Sequence, residues 1–257
     1  MVEREPTGIK GLDDLIEGGL PKGSVTLISG SPGTGKSILC QHFINTGATK
    51  FDQNCLYLSF EQRVPEIYVQ AKKVGFEFAR LEREGKSKFI FIDIAQRKLA
   101  PGQTHIDVIA EEIKKFHADR VVIDSLTPLA NFPISMNELV YYGMIGDIDK
   151  ILLPSIQEDL IVRMQVHKLI MMLKDAGVTS LIVSEIPKNS EWLSRDRVSE
   201  FMADGVILLH YLGIGATSNR SLTIEKLRGT KHCEDVIPLE ITDKGIIVKK
   251  PEEAYRV

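Results

Sequence analysis

The sequence of 257 residues contains few cysteines and has a small net charge. Its three cysteines, Cys40, Cys55 and Cys233, are far apart and form no C-x-x-C pair, which argues against a disulfide framework and against a zinc site. We expect them to be reduced thiols of the core. The formal net charge of -3 provides no general attraction to nucleic acid or acidic lipid, so any polyanion would have to be bound locally.

The sequence also lacks the marks of a secreted or membrane protein. Residues 1–5 are too charged for a signal peptide, and no uninterrupted apolar run reaches a membrane-spanning length. The composition, with 43% hydrophobic and 26% charged residues, is typical of a globular protein. We therefore expect a cytoplasmic protein with no membrane partner. The simplest organisation is one α/β domain over residues 1–257, although two small domains would also fit this length.

The most informative stretch is Gly-Ser-Pro-Gly-Thr-Gly-Lys-Ser at residues 30–37, a complete match to the phosphate-loop pattern G-x-x-x-x-G-K-[ST]. Glycines let backbone amides approach phosphate oxygens closely, Lys36 can reach the β- and γ-phosphates, and the Ser37 hydroxyl can ligate Mg²⁺. The alternative is a glycine turn that binds nothing. An apolar run at 25–29 and a helical pattern at 37–47 favour the phosphate loop. The predicted contacts to the nucleotide are Gly30, Ser31, Pro32, Gly33, Thr34, Gly35, Lys36, Ser37 and Ile38.

Two further strands end in carboxylates. Residues 55–60 lead into Glu61, which could orient and deprotonate an attacking water, although acidic residues are also common at solvated helix starts. Residues 120–124 form an apolar run ending in Asp124, the Walker B arrangement that holds a Mg²⁺ shell. Many strands end in Asp, so this second pattern indicates a metal-binding residue only because a complete phosphate loop precedes it in the sequence. Ser37 and Asp124 are the predicted metal-binding residues.

The rest of the chain alternates strand and helix patterns. Leu160, Met164 and the cluster at 169–173 should face inward from a helix, either as ordinary core or as a partner surface. We assign no structure to residues 131–154, a possible insertion that could be a lid or a docking site. The other predicted elements are a short helix within 7–23, a helix over 64–83 broken near Gly75, strands at 89–93 and 180–184, helices at 106–115 and 156–174, a hairpin of 205–210 and 221–225 at the sheet edge, and a strand, turn and strand within 238–248.

Three segments together resemble the KaiC and RadA branch of the RecA-like ATPases. They are residues 7–23 beside the phosphate loop, Lys-Leu-Arg-Gly-Thr-Lys-His at 226–232, and Ile-Thr-Asp-Lys-Gly-Ile at 241–246. The resemblance covers residues 7–248 and includes one phosphate loop. It implies a RecA-like fold with a mainly parallel sheet flanked by helices, ATP and Mg²⁺ as ligands, and a homo-oligomer, expected to be a hexameric ring.

The resemblance also implies roles for individual residues. Lys226 and Arg228 would reach the nucleotide of a neighbouring subunit as arginine-finger-like groups, with Arg228 catalytic; a bare K-x-R could equally be a strand end in water. Glu61 matches the first of two glutamates that serve as catalytic base. Gln62 replaces the second, which predicts slow hydrolysis. The remaining implied nucleotide contacts are Leu227, Thr230, His232, Thr242 and Asp243.

The segment that follows the strand at 180–184 bears on whether the protein binds DNA. Ser184 and Glu185 are candidate γ-phosphate sensors by the resemblance. Residues 186–201 match a pore-lining loop that touches single-stranded DNA in recombinases; here its cations are Lys188, Arg195 and Arg197. Three acidic residues and a single stacking ring, Trp192, weaken a DNA-binding interpretation.

Three classes of function follow from these observations. The first is an ATPase that remodels a protein partner or switches signalling. The second is a recombinase-like ATPase acting on single-stranded DNA, and the third is an ATP-binding switch that does not hydrolyse ATP.

Overall fold

The structure is a computed structural model that describes residues 2–92, 100, 103–128, 154–188, 190–212 and 219–249, with side chains 154–161, 212 and 219 excepted. The unassigned segment 131–154 lies outside the described residues up to residue 153. The strands are β1 (Arg4–Glu5), β2 (Leu20–Pro21), β3 (Val25–Gly30), β4 (Cys55–Ser59), β5 (Ser87–Phe91), β6 (Arg120–Asp124), β7 (Thr179–Glu185), β8 (Gly205–Leu212), β9 (Asn219–Leu227), β10 (Ile237–Thr242) and β11 (Gly245–Val248). The helices are α1 (Lys36–Lys50), α2 (Val64–Lys73), α3 (Phe78–Arg83), α4 (His105–Phe116), α5 (Pro154–Asp175) and α6 (Ser199–Met202), and a 3-10 helix spans Asp13–Ile16.

One nine-stranded sheet, in the order β11-β10-β9-β8-β3-β7-β6-β4-β5, organises the described residues. The strands from β8 to β5 are parallel to their neighbours, whereas β9, β10 and β11 pair antiparallel. The predicted α/β class with a mainly parallel sheet is confirmed. The predicted hairpin is present as β8 and β9, but its placement at the sheet edge is wrong, because β10 and β11 extend the sheet beyond β9.

Helices cover both faces of the sheet, and alternate residues of each strand enter two separate cores. On β3, Ile28 packs with side chains of α1, α2 and α3, whereas Leu27 packs with those of α4 and α5. Tyr57 and Leu58 divide in the same way on β4. A sheet covered on both faces explains why these strands read as continuous apolar runs.

Several predicted helices are confirmed with small changes in their bounds. The predicted helix 64–83 is interrupted as expected: α2 ends at Lys73, and Gly75 has a φ of +79°, where an added Cβ would lie 2.7 Å from the carbonyl oxygen of Asp243. On α5, Leu169, Ile170 and Leu173 are buried as predicted, while Met171 is 41% exposed.

The three cysteines are free thiols, and two of them belong to the core. Cys40 and Cys55 are buried, whereas Cys233 is only partly buried. Burial raises the pKa of the Cys40 thiol well above its usual value and that of Cys55 to about 12, so both are protonated at neutral pH. None of the described helices is long and apolar enough to span a bilayer.

A fully buried arginine ties the sheet to the amino-terminal segment. The Arg120 guanidinium, at the start of β6, donates hydrogen bonds to Glu5 Oε2 at 3.0 Å and Gln53 Oε1 at 2.6 Å. It also donates to the carbonyl oxygens of Pro6 and Phe43, at 2.8 and 3.1 Å. The buried charge is therefore both paired and hydrogen-bonded, as burial of an ion requires.

Candidate functional site

A cavity of about 280 Å³ opens where the parallel strands end. Strand register explains its position: Ser59 lies opposite Asp124, and Gly30 lies opposite Glu185, so the residues following β3, β4, β6 and β7 meet at one edge of the sheet. The residues that line it are Gly33, Gly35, Lys36, Ser37, Ile38, Ser59, Glu61, Gln62, Asp124, Glu185, Arg220 and Ile241. We call this the nucleotide cavity, because the phosphate loop forms one of its walls.

The loop between β3 and α1 needs its glycines for two different reasons. A Cβ on Gly30 would lie 2.4 Å from the carbonyl oxygen of Leu209, so only glycine fits between the two backbones. Gly35 precedes α1 with a φ of +110° and no side-chain cap. The first amides of α1 therefore have no side-chain acceptor, and such a helix start attracts anions.

Lys36 is held inside the loop although it carries a charge. Its side chain is 5% exposed, and its Nζ donates to the carbonyl oxygens of Gly30 at 3.0 Å and Ser31 at 3.1 Å. The third contact is an ion pair with Glu185 Oε1 at 3.4 Å. The ammonium group is thus fixed at the cavity, with a carboxylate beside it that phosphate oxygens could replace.

The Asp124 carboxylate lies at the end of β6, where its neighbours partly offset the cost of burial. Burial raises the pKa of Asp124 above its usual value, and hydrogen bonds from Tyr57 and Ser37 together with the charge of Lys36 oppose that rise. The Tyr57 hydroxyl donates to Asp124 Oδ2 at 2.6 Å. Burial also raises the pKa of Tyr57, so its hydroxyl remains a donor. The Ser37 hydroxyl and the Asp124 carboxylate lie together, as ligands of Mg²⁺ in a phosphate-loop site must.

Glu61 and Gln62 both line the cavity, on the segment that follows β4. The Ser125 hydroxyl donates a hydrogen bond to Glu61 Oε1 and so orients the carboxylate. The backbone amide of Gln62 donates to Ser59 Oγ at 3.0 Å. The structure therefore places Glu61 and Gln62 side by side in the wall of the cavity.

The two candidate sensors face different cavities. Glu185 lines the nucleotide cavity and pairs with Lys36. Ser184 lines a second cavity, and its Oγ accepts a hydrogen bond from the backbone amide of Arg195 at 3.0 Å. Of the two residues, only Glu185 can reach a nucleotide in the first cavity.

Lys226 and Arg228 lie at the other end of the sheet from the phosphate loop. β9 runs antiparallel to β8, with Leu227 opposite Gly205, which places both cations near the amino ends of the parallel strands. Lys226 Nζ donates to the carbonyl oxygens that end α6, including that of Ala203 at 2.6 Å. Arg228 lies 3.5 Å from Asp204 Oδ1 and donates to a carbonyl of the same α6 segment. Neither cation lines the cavity of its own chain.

The other residues expected to contact nucleotide near Arg228 make contacts within their own chain. Leu227 is buried in the core. Thr230 Oγ1 accepts a hydrogen bond from Arg4, and His232 Nδ1 lies 3.2 Å from the Cys233 carbonyl oxygen.

The turn between β10 and β11 contributes an apolar wall to the nucleotide cavity. Ile241 lines the cavity together with Ile38. Thr242 Oγ1 donates to the carbonyl oxygen of Gly245 at 2.9 Å, and Asp243 is exposed. Among the described lining residues this turn is represented by Ile241 rather than by Thr242 or Asp243.

Sequence reasoning missed Arg220, which reaches the phosphate loop from β9. Its Nε donates to the carbonyl oxygen of Gly33 at 3.3 Å, and its Nη2 donates to the Tyr211 hydroxyl at 2.6 Å. The guanidinium also stacks on the Tyr211 ring, 4.9 Å from its centroid. No motif surrounds Arg220 in the sequence, and only the pairing of β8 with β9 brings it to the cavity. Tyr57 and Ser125 were missed for the same reason, since each acts through a neighbouring strand.

The predicted pore loop is divided in the structure. Lys188 is exposed at its beginning. Arg195 and Arg197 line the second cavity, which has a volume of about 240 Å³. We call it the arginine cavity; its lining residues are Leu126, Thr127, Val162, Arg163, Ser184, Arg195, Asp196 and Arg197.

Comparison with known proteins decides which family carries this arrangement. The model of the KaiC ATPase family matches residues 5–138 and 145–253 of the chain. The chain belongs to the KaiC ATPase family. The predicted membership is thereby confirmed, and the family is one of nucleotide hydrolases that bind ATP.

Individual KaiC-like relatives agree with this assignment. The circadian clock oscillator protein KaiC of Prochlorococcus marinus (strain MED4) is 31% identical over 96% of this chain and 45% of its own length. The chain thus spans about half the length of the curated KaiC relatives it matches. A UPF0273 protein of Aeropyrum pernix is 30% identical over 100% of this chain and 97% of its own length.

A solved KaiC-like structure confirms the fold. The crystal structure of a KaiC-like protein from Pyrococcus horikoshii OT3 covers 97% of this chain, with a TM-score of 0.78 and 29% sequence identity. The predicted RecA-like fold is therefore correct.

Proposed function

We propose that this KaiC-like chain binds ATP with Mg²⁺ and hydrolyses it to ADP and phosphate, as a homo-oligomer that regulates or remodels a protein partner. The observation that carries the proposal is the convergence of Lys36, Ser37, Asp124 and Glu61 on one cavity. Each of these residues has a separate task in phosphoryl transfer to water.

The residues present fit a magnesium nucleotide. Gly33 and Gly35 line the cavity without side chains, and Ser37 and Asp124 supply the hydroxyl and carboxylate oxygens that Mg²⁺ accepts. Within the described part of the chain no three His, Cys, Asp or Glu side chains converge as a metal-binding group. That agrees with Mg²⁺, which usually takes one or two protein oxygens and leaves its other positions to phosphate and water. When bound, the metal would neutralise charge on the phosphates.

The chain's own groups would then divide the work. Lys36 exchanges its contact with Glu185 for phosphate oxygens, and the α1 amides add fixed positive dipoles. Glu61 accepts the proton of the attacking water, and the hydroxyl of Ser125 keeps its carboxylate in place. Arg220 holds the Gly33 carbonyl and so positions the loop from β9.

The oligomer is proposed because the two cations that match the family's finger segment do not line the cavity of their own chain among the described residues. Lys226 and Arg228 lie at the far end of the sheet, where a neighbouring subunit could receive them. A hexameric ring is the arrangement expected from the family resemblance.

Phosphate release by the purified, assembled protein tests the reaction. We expect the wild-type chain to release phosphate from ATP in the presence of Mg²⁺ and Lys36→Ala to release none. Glu61→Gln should still bind ATP while its turnover falls about a hundredfold or more, the usual contribution of a general base. If assembled wild-type protein releases no more phosphate than Lys36→Ala, the hydrolysis proposal is refuted.

The turnover of a Gln62→Glu variant distinguishes an ATP hydrolase from an ATP-binding switch. The side chain stands where KaiC-like proteins carry a second glutamate, so Gln62→Glu would restore that pattern. A large rise in turnover would identify the natural chain as one adapted to retain ATP. Unchanged turnover would indicate that Glu61 suffices.

The structure offers little in favour of the recombinase alternative. Trp192, the single ring available for stacking in the loop, has the guanidinium of Arg197 5.3 Å from its centroid. DNA binding would have to weaken with salt and with neutralisation of Lys188, Arg195 and Arg197. A salt-insensitive result would remove this class.

A further inference from the structure

The arginine cavity has an excess of positive charge. Among the described lining residues, three guanidinium groups, of Arg163, Arg195 and Arg197, stand against one carboxylate, that of Asp196. That carboxylate is already engaged within its own turn: Oδ1 accepts hydrogen bonds from the amides of residues 198 and 199 at 2.9 and 2.6 Å, and Oδ2 accepts one from a serine hydroxyl at 2.7 Å. Its acceptor capacity is therefore largely used, and the cationic groups dominate the cavity.

The three guanidinium groups of the cavity wall belong to exposed residues. Among the described residues, no carboxylate forms an ion pair with Arg163, Arg195 or Arg197. The Thr127 hydroxyl is shielded from solvent and makes no hydrogen bond with a described residue. Shielded hydroxyls in proteins are normally hydrogen-bonded, so this hydroxyl is available to a ligand in the cavity.

The loop backbone presents these cations in an unusual conformation. Arg197 has a φ of +57°, in the left-handed region that arginine rarely adopts. The hydrogen bonds that the Asp196 carboxylate accepts from the backbone amides of residues 198 and 199 stabilise this turn. As a result Arg195 and Arg197 both face the cavity, and Arg197 also lies over the ring of Trp192.

We propose that the arginine cavity is a binding site for a compact oxyanion, a phosphate group, separate from the nucleotide cavity. Guanidinium groups match phosphate oxygens with paired donors, and three of them with a threonine hydroxyl can surround such a group. The volume of about 240 Å³ accommodates a phosphate or a small phosphate ester. Arg197 lies over one face of Trp192 and so leaves less of this ring for a stacked base.

The two sites share the end of one strand. Ser184 faces the arginine cavity, and the next residue of β7, Glu185, faces the nucleotide cavity and pairs with Lys36. Similarly, Leu126 and Thr127 follow Ser125, whose hydroxyl holds Glu61. A phosphate group in the arginine cavity would therefore lie next to the groups that contact ATP.

The single tryptophan of the chain offers a direct test, because Trp192 contacts Arg197. The protein is titrated with inorganic phosphate as the Lys36→Ala variant, so that the phosphate loop binds phosphate more weakly and the outcome does not depend on ATP hydrolysis. Ionic strength is kept constant with sodium chloride. We expect a saturable change in tryptophan emission, and a matching heat in isothermal titration calorimetry.

Two further substitutions in that background locate the site. Arg195→Ala should weaken phosphate binding about tenfold or more, the usual effect of removing a hydrogen bond to a charged group. Lys188→Ala removes the same charge from the same loop but does not line the cavity, so binding should persist. Circular dichroism checks that each variant is folded.

A parallel titration with glycerol 2-phosphate distinguishes the sources of the phosphate group. Equal binding would show that the site also accepts a phosphate carried by an organic molecule, and binding of inorganic phosphate alone would identify the free ion. The proposal is overturned if neither ligand gives saturable binding by either method, or if Arg195→Ala and Lys188→Ala bind equally. It is also overturned if only single-stranded DNA binds, which would support the recombinase class instead.

Discussion

Asp124 would have to be negatively charged to hold the proposed metal, yet it is partly buried. Burial raises its pKa, and the hydrogen bonds from Tyr57 and Ser37 only partly compensate. Because the folded carboxyl binds its proton more tightly than the unfolded one, the free energy of unfolding falls as pH rises from the usual carboxyl pKa to the raised one. At neutral pH the ionised carboxylate is therefore a cost to the folded state.

Asp124→Asn should remove that cost together with the activity. We expect its melting temperature at pH 7.5, without nucleotide or metal, to exceed that of the wild type, and the difference to narrow as pH is lowered to 4. Magnesium-dependent phosphate release should be lost. Thermal unfolding by circular dichroism over a pH series measures the first effect, and Asp243→Asn, at an exposed carboxylate, serves as the control. A lower melting temperature for Asp124→Asn at pH 7.5 would contradict the prediction.

His42 should make the protein sensitive to mild acid. Burial, helped by the charge of Lys50, lowers the pKa of His42 from 6.5 to about 4. The unfolded chain binds a proton below about pH 6.5, whereas the folded chain does so only near 4. The free energy of unfolding should therefore fall by about 2 kcal/mol between pH 7.5 and pH 5 on account of this residue.

Urea unfolding at these two pH values tests the role of His42. His42→Leu should lose the part of the pH dependence that this imidazole causes, even if the variant is less stable overall because the Ile246 amide loses its acceptor. His117→Asn, at an exposed histidine that ends α4, should retain the dependence. If the free energy of unfolding of His42→Leu falls between pH 7.5 and pH 5 as much as that of the wild type, other groups cause the acid sensitivity.

At the scale of elements, the Arg120 network joins β6 to β1 and should be strongly coupled. Arg120→Ala leaves Glu5 buried without its partner, which typically costs about 3–5 kcal/mol of folding free energy. Removing both side chains should cost less than the sum of the single losses, because no unpaired charge then remains. Urea unfolding of the two single variants and the double variant measures this coupling. Additive losses would show that the ion pair does not stabilise the contact between the two segments.

Much of the strand and helix pattern could be predicted from the sequence, because buried parallel strands are continuous apolar runs. β3 and β6 were predicted almost to the residue for this reason. The order of strands across the sheet is not encoded in such runs, which is why the hairpin was placed at the edge. The burial of Arg120 was equally unforeseeable, since arginine is rarely buried without specific partners.

The residues of the candidate site are likewise of two kinds. Some are part of a local sequence motif, and others reach the cavity only through the pairing of strands. Lys36, Ser37, Asp124 and Glu61 follow directly from motifs, since each stands at the end of a strand, in the segment after it or at the start of the next helix. Arg220 depends on the register of β9 against β8, which places it opposite Tyr211. A residue brought to a cavity by strand pairing has no local sequence pattern.

At the scale of the whole molecule, the proposed trans action of Arg228 can be tested by mixing two inactive variants. Lys36→Ala retains Arg228 but lacks a working phosphate loop, whereas Arg228→Ala retains the loop and lacks the finger. Each should be inactive alone. Mixed in equal amounts and allowed to reassemble, they should recover about a quarter of wild-type turnover, the fraction of sites that combine an intact loop with an intact neighbouring finger.

A control mixture distinguishes trans action from simple stabilisation. Lys36→Ala with Glu61→Gln should recover no activity, since both variants are defective in the cavity itself. Native mass spectrometry confirms that mixed oligomers have formed. If they form and the first mixture stays inactive, Arg228 does not act across the subunit boundary.

The cations at the end of β9 and the cavity of the same chain lie at opposite ends of the sheet. Each subunit therefore has two different ends, one that carries the cations and one that carries the cavity. A contact that joins the Arg228 end of one subunit to the cavity of the next is heterologous, so it can be repeated without limit. A linear row built from such contacts always leaves one cavity without a donor and one donor without a cavity. Closure into a cycle removes both, and catalytic completeness would then favour symmetric assembly independently of the area buried between subunits.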